Sequence, residues 1–301
     1  MRAPRPPRPR HPQPPLVARL LDRLPQPTTP WEDSAGTGDT PDETDARPVV
    51  LVHGTAGSRD NFEKIVPVLR GTGRPVLSVS YGHRGTGGLI ASLDEVVDQL
   101  TAITSRFGAV DLVGHSQGGL LALAAAGVIE DSDEDGSDDT ARDTAHHAVH
   151  HVVGLAADFR GVGRPWFRPP ESRLLRRIDQ ALLPALADQL AGSPALRDVL
   201  QHTVRTRVPV TQIITRGDWI VPAARARAFT TPDPLTGLPA HPGPARVVTV
   251  QDHYPDARIS HAVIPYHRLV GTLVTEALAH PPGVTRPTSR GRTSRQCPDH
   301  L

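Results

Sequence analysis

The residue of this sequence with the clearest chemical opportunity is Ser116, held in Gly114-His115-Ser116-Gln117-Gly118 between two apolar runs, VDLV and LLALAAA. A serine hydroxyl is a poor nucleophile near neutral pH, so it needs a general base within hydrogen-bond reach and a third group that orients the base. It also needs N–H donors for the negative charge that develops on a carbonyl oxygen under attack. A chain that supplies all of these can run acyl transfer through a covalent intermediate.

The G-x-S-x-G spacing alone is a short pattern, and its setting gives it meaning. An apolar strand before it and an apolar helix after it are the surroundings of a nucleophile elbow, whose turn is too sharp for side chains at the flanking glycines. In such an arrangement the acid and then the histidine follow the serine along the chain. Asp218 comes just after the apolar run VTQIIT, and Asp158 comes just after VVGLAA, so both are candidates for the acid, with Asp218 favoured by position. The segment DHYPDARISHAVIPYH offers His253, His261 and His267. His261 is best placed, on a loop just before the last helix, whereas His253 follows its strand too closely and His267 is expected inside the helix. One oxyanion donor is expected from the main-chain N–H of Gln117, and the other from Thr55 in the loop HGTAGS that follows the first strand.

These residues require a frame. PVVLVHG, with Val49 to Val52 as a short apolar run ending in glycine, reads as a strand buried on both faces of a parallel sheet. PVLSVSYG (75–82) repeats the pattern. Leu93, Val96, Val97, Leu100 and Ile103 recur at helical spacing before Gly108, which predicts an amphipathic helix with a glycine C-terminus. Further strands are expected at 110–113, 152–156, 208–215 and 247–250, with helices at 120–129 and 266–279. Apolar strands alternating with helices make an α/β fold with a mostly parallel sheet covered on both faces. Ligands in such sheets bind beyond the carboxyl ends of the strands. Every candidate above lies just after a strand.

Composition narrows the function classes. The 33 Lys and Arg nearly balance the 32 Asp and Glu in a chain of 301 residues, so no net field draws nucleic acid or an anionic membrane. The 32 prolines crowd before residue 50 and after residue 230, which marks 1–46 as a disordered Pro/Arg-rich arm and 281–301 as a disordered tail around a domain at 47–280. A single cysteine, Cys297, allows no internal disulfide. The first 24 residues lack the uninterrupted apolar core of a secretory signal, and no run is long enough to cross a membrane, so a cytoplasmic protein is expected. Residues 130–147 form an acidic insert expected to be a solvated loop. HHAVHH (146–151) places histidine pairs four apart, but no Glu completes an H-E-x-x-H arrangement and the run enters a strand, so a solvated linker is expected rather than a metal site.

The stretches PVVLVHGTAGSRDNFEKIVPVL, VDLVGHSQGG, PALADQLAGSPALRDVL, TQIITRGDWIVP and residues 251–261 resemble the corresponding segments of bacterial triacylglycerol lipases of the class 2 group, in the α/β-hydrolase superfamily. The resemblance covers about residues 47 to 280. It implies an α/β-hydrolase fold, a Ser116, Asp218, His261 triad with Thr55 and Gln117 as oxyanion donors, and hydrolysis of lipid or other carboxylic esters through an acyl-enzyme without cofactor or metal. Secreted members carry a signal peptide and disulfides, which are not seen here. A thioesterase or acyltransferase on the same triad, or a hydrolase scaffold that only binds, would use the same residues differently. Residues 159–205 read as a helical, lid-like excursion, in which Trp166 and Phe167 are candidates for the pocket wall together with His53, His115 and Trp219.

Overall fold

The computed structural model describes residues 47–134, 148–162 and 184–283. The N-terminal arm, most of the acidic insert, and the stretch that contains Trp166 and Phe167 lie outside the described residues.

Six parallel strands form one sheet: β1 (Val49–Val52), β2 (Val76–Val79), β3 (Val110–His115), β4 (Val149–Leu155), β5 (Val210–Ile214) and β6 (Ala245–Thr249). Their spatial order is β2-β1-β3-β4-β5-β6. All four β1 residues and all six β3 residues are buried, as a strand with protein on both faces requires. The chain steps from β1 outward to β2 and then returns to β3 on the other side of β1. This reversal opens a crevice at the carboxyl ends of β1 and β3, where the HGT loop and Ser116 both sit.

Alternation along the strands divides the core. Val50, Val52, Leu112 and Val152 face α2 (Leu89–Phe107), α3 (Gln117–Glu134) and α5 (Pro194–Thr203). Val49, Leu51, Val153 and Ile213 face α1 (Val66–Arg70) and α8 (Arg268–Ala279). Short helices α4 (Pro184–Asp188), α6 (Ala223–Arg227) and α7 (Val250–His253) fill the connections. Helix α2 buries Leu89, Leu93, Val96 and Leu100 on one stripe and ends at Gly108 with φ 75°. Its first N–H, on Leu89, donates to the Asp188 carboxylate at 2.9 Å, so α4 caps α2. No helix among the described residues is long and apolar enough to cross a membrane.

Several expectations from the pattern are corrected. Helix α3 starts at Gln117, directly after Ser116, and not at Leu120; it also continues to Glu134, so the first residues of the acidic insert are helical. The alanine-rich, buried stretch 120–126 favours a long helix that carries its flanking residues with it. Strand β6 stops at Thr249 and Val250 opens α7. His267 lies outside α8 as its N-cap, its ring nitrogen accepting the Leu269 N–H. His150 and His151 belong to β4, not to a linker. His151 is fully buried and hydrogen-bonds Thr211 Oγ1 at 3.0 Å, while His150 Nδ1 lies 3.0 Å from the Asp111 carboxylate, which also pairs with Arg74. Burial opposes the charge of Asp111, but His150 and Arg74 overcome it and hold the carboxyl below its ordinary pKa.

Helices α3 and α5 touch backbone to backbone at Gly127, where a methyl would stand 2.2 Å from the main-chain oxygen of His202. Gly127→Ala is therefore expected to push α5 off α3. The cost should be about 1 to 3 kcal/mol, read as a thermal midpoint lowered by several degrees despite alanine's better helix propensity.

Candidate active site

The turn from β3 into α3 holds Ser116 at φ 51°, a left-handed backbone that a serine adopts only under constraint. Close approach explains the glycines on either side. A Cβ at Gly118 would lie 2.2 Å from the carbonyl oxygen of His53, and one at Gly114 would lie 2.5 Å from that of Gly118. The start of α3 therefore rests against the end of β1. The N–H of Gln117, first in the helix, has no acceptor within the helix, and it lies beside the HGT loop with Thr55.

Ser116 Oγ is 3.0 Å from His261 Nε2, and His261 Nδ1 is 2.7 Å from Asp218 Oδ2. A carboxylate only accepts, so Nδ1 carries the proton and Nε2 presents its lone pair to the serine hydroxyl. The other Asp218 oxygen accepts the N–H groups of Ile220 and Val221 at 2.9 and 2.8 Å. All three side chains are buried. Asp158, the other candidate acid, makes no hydrogen bond to His261. His253 is exposed on α7 and His267 caps α8, so neither joins this chain of hydrogen bonds.

Asp218 and His261 sit on separate loops that polar side chains bind together. Thr215 Oγ1 donates to Ile259 O at 2.7 Å, and Gln251 Nε2 donates both to Thr215 Oγ1 at 2.9 Å and to Ala257 O at 3.0 Å. His115, expected to line the pocket, instead donates from Nε2 to the main-chain oxygen of His261 at 3.0 Å. His53, also expected there, stacks flat on Tyr81 at 4.4 Å between ring centroids. The Tyr81 hydroxyl lies 2.5 Å from His53 O and 3.1 Å from Gln117 Oε1, which ties the HGT loop to the start of α3. Trp219 is 59% exposed beside Asp218.

Two supporting residues escaped sequence reasoning. Gln189, just after α4, donates to Thr55 Oγ1 at 3.0 Å and to Ala185 O at 2.7 Å. Nothing in its local sequence marks it, because its partner is 134 positions away. Tyr81 follows β2, and the rule that sites lie beyond strand ends could have drawn attention to it. Among the described residues no three His, Cys, Asp or Glu side chains gather as a metal site.

The profile of the alpha/beta hydrolase family matches residues 49–288, most of the chain. The chain belongs to the alpha/beta hydrolase family. Over 87 residues this hydrolase is 33% identical to the sn-1-specific diacylglycerol lipase ABHD11 of Danio rerio, an alignment covering 27% of either chain. It thus spans about a quarter of that relative's length. Lipase B of Aspergillus fumigatus superposes with a TM-score of 0.57 at 17% identity, over 85% of this hydrolase but only 56% of the lipase, a likeness of fold.

Burial lowers the pKa of His53 to about 4, opposed by its hydrogen bond to Gly54 O. Burial, with the nearby His261, lowers that of His115 to about 3, and burial lowers that of His151 to about 4. All three are neutral in the folded hydrolase and titrate near 6.5 when unfolded. A depressed pKa contributes stability that is fully present above pH 6.5 and is lost as pH falls toward the folded values. Asp158, raised to about 6 by burial, works in the opposite sense but is a single group. Urea unfolding midpoints are therefore expected to hold steady from pH 8 to 7 and to fall steadily between pH 6.5 and 4.

Proposed function

We propose that this α/β hydrolase cleaves carboxylic esters, chiefly lipid or other acyl esters, through a covalent acyl-serine. The observation that carries the reading is the hydrogen-bonded chain from Asp218 through His261 to Ser116 at the mouth of the sheet. The resemblance to class 2 lipases and the partial match to a diacylglycerol lipase support the same substrate class.

In this reading Ser116 Oγ attacks the ester carbonyl as His261 Nε2 takes its proton. The carbonyl π electrons move to oxygen, and the oxyanion is held by the N–H groups of Gln117 and Thr55. Such donors, preorganised in a site with little water, stabilise developing charge more than water does. The tetrahedral adduct collapses when the imidazolium passes its proton to the departing alkoxide, leaving the acyl group on Ser116. Asp218 holds the ring in the Nδ1–H tautomer and balances the transient positive charge. Water, deprotonated by the same nitrogen, then attacks the acyl-serine, and the carboxylic acid leaves with Ser116 restored.

Gln189 and Tyr81 are positioning residues here, setting Thr55 and Gln117 in place without touching the reacting atoms. No metal or cofactor enters any step.

Hydrolysis of p-nitrophenyl esters from acetate to palmitate tests the reading. Ser116→Ala and His261→Ala should each reduce kcat by about a million-fold, with no further loss in the double variant, because the pair acts as a unit. Asp218→Asn should cost about ten-thousand-fold by favouring the wrong tautomer. A fluorophosphonate should label Ser116 in the folded protein. Retained turnover in Ser116→Ala would remove the assignment, and activity confined to acyl thioesters would move it to a thioesterase.

A further inference from the structure

We propose that the Asp158 carboxyl is a binding subsite for a hydroxyl group that the substrate carries close to its scissile ester. This rests on the ester-hydrolase reading above and adds to it a substrate class, hydroxylated esters.

Position comes first. Strand β4 pairs with β3 so that Leu155 is level with His115, and the Ser116 N–H donates to Leu155 O at 3.1 Å. The residues that follow Leu155 leave the sheet beside the nucleophile. Ala156 turns the chain with φ 47°, and Ala157 packs so close to the start of α3 that a Cβ at Gly119 would meet its methyl at 2.3 Å. Asp158 is next. His261 lies near enough to favour its charged form, and its charge in turn disfavours ionisation of Tyr81. The carboxyl thus belongs to the segment that leaves β4 directly beside the nucleophile turn.

Its bonding state is the second observation. Among the described residues four Asp side chains are buried: Asp111, Asp158, Asp218 and Asp233. Asp111 is held by Arg74 and His150, and Asp218 by His261 and two main-chain N–H groups. Asp233 is held by Arg225, Thr236 and the Leu235 N–H. Asp158, 1% exposed, receives no hydrogen bond from any other residue at either oxygen; only its own main-chain N–H is near. Burying a carboxyl without partners is expensive, and natural folds rarely keep such a group unless a ligand or a function uses it.

Chemistry selects the ligand. Burial lifts the Asp158 pKa to about 6, opposed by its own main-chain N–H and then by His261 and Arg225, so both protonation states occur around that pH. A hydroxyl donates to the carboxylate and accepts from the carboxylic acid, and it therefore satisfies either state. A plain alkyl chain satisfies neither. A substrate carboxylate would be repelled once Asp158 ionises, and a substrate ammonium would be set against the Arg225 and His261 that already act on this carboxyl.

The hydroxyl can belong to the acyl chain or to the departing alcohol, and two matched substrate pairs separate these sources. For the acyl side, kcat/KM is compared between p-nitrophenyl 3-hydroxybutyrate and p-nitrophenyl butyrate; for the alcohol side, between glycerol monobutyrate and propyl butyrate. The full-length wild-type protein should favour the hydroxylated member of at least one pair by about ten-fold or more, as for a hydrogen bond to an ionisable partner. Asp158→Leu should shrink that ratio to within about two-fold, whereas Asp158→Asn, which still donates and accepts, should keep most of it. An active wild type with no preference in either pair, or a preference undiminished in Asp158→Leu, overturns the subsite. A wild type inactive on all four esters overturns the ester reading, and the subsite falls with it. Thermal melts at pH 8 give a readout free of substrate. Asp158→Asn should melt above the wild type, since it removes a buried charge without a partner, and a lower melting point would mean that the carboxyl is held by the protein and would overturn the proposal.

Discussion

The site depends on a steric constraint: between the end of β3 and the start of α3 there is room for backbone and not for side chains. Gly118 touches the carbonyl oxygen of His53, and Ser116 is held at φ 51°. That contact locks the first turn of α3 to the carboxyl end of β1. Three things then become neighbours without further adjustment: the serine hydroxyl, the first N–H of α3 and the HGT loop. The strain of a left-handed serine, of the order of 1 to 3 kcal/mol, is offset by the burial of β3 and α3 around it.

A second level of organisation is polar. The loops bearing Asp218 and His261 are joined to one another by Thr215 and Gln251, and His261 is joined to the elbow by His115. These hydrogen bonds are short-range and directional, and they are buried, so breaking one leaves an unsatisfied group in a low dielectric. The same low dielectric keeps His53 and His115 neutral, which limits the positive charge around His261. Among the four buried Asp side chains described, Asp158 alone receives no hydrogen bond from another residue, which sets it apart from the structural carboxylates.

Much of the frame was legible from the chain. Val49 to Val52 and Val110 to Val113 are too apolar to have a wet face, and Leu93, Val96 and Leu100 could only be one face of a helix, so the α/β alternation follows from the periods of hydrophobicity. Less legible were the ends of elements and the roles of histidines. His150 and His151 read as the end of a linker although Val149 and Val152 flank them, because the partners that take them into the sheet, Asp111 and Thr211, lie on other strands. The sequence reading made His53 and His115 candidates for the pocket wall, and it could not show that one ring stacks on Tyr81 while the other donates to the His261 carbonyl.

By itself the sequence determined the layered α/β class, the break around Ser116, the placing of Asp158 and Asp218 just beyond strand ends, and that of His261 on the loop before the last helix, because local period and glycine position are properties of neighbouring residues. Only the tertiary structure decided that Asp218 rather than Asp158 meets Nδ1 of His261, that Gln189 and Tyr81 brace Thr55 and Gln117, and that the Asp158 carboxyl is buried without a hydrogen bond from another residue. Those outcomes depend on distances between groups far apart in the chain, and a few ångströms separate a hydrogen bond from no interaction.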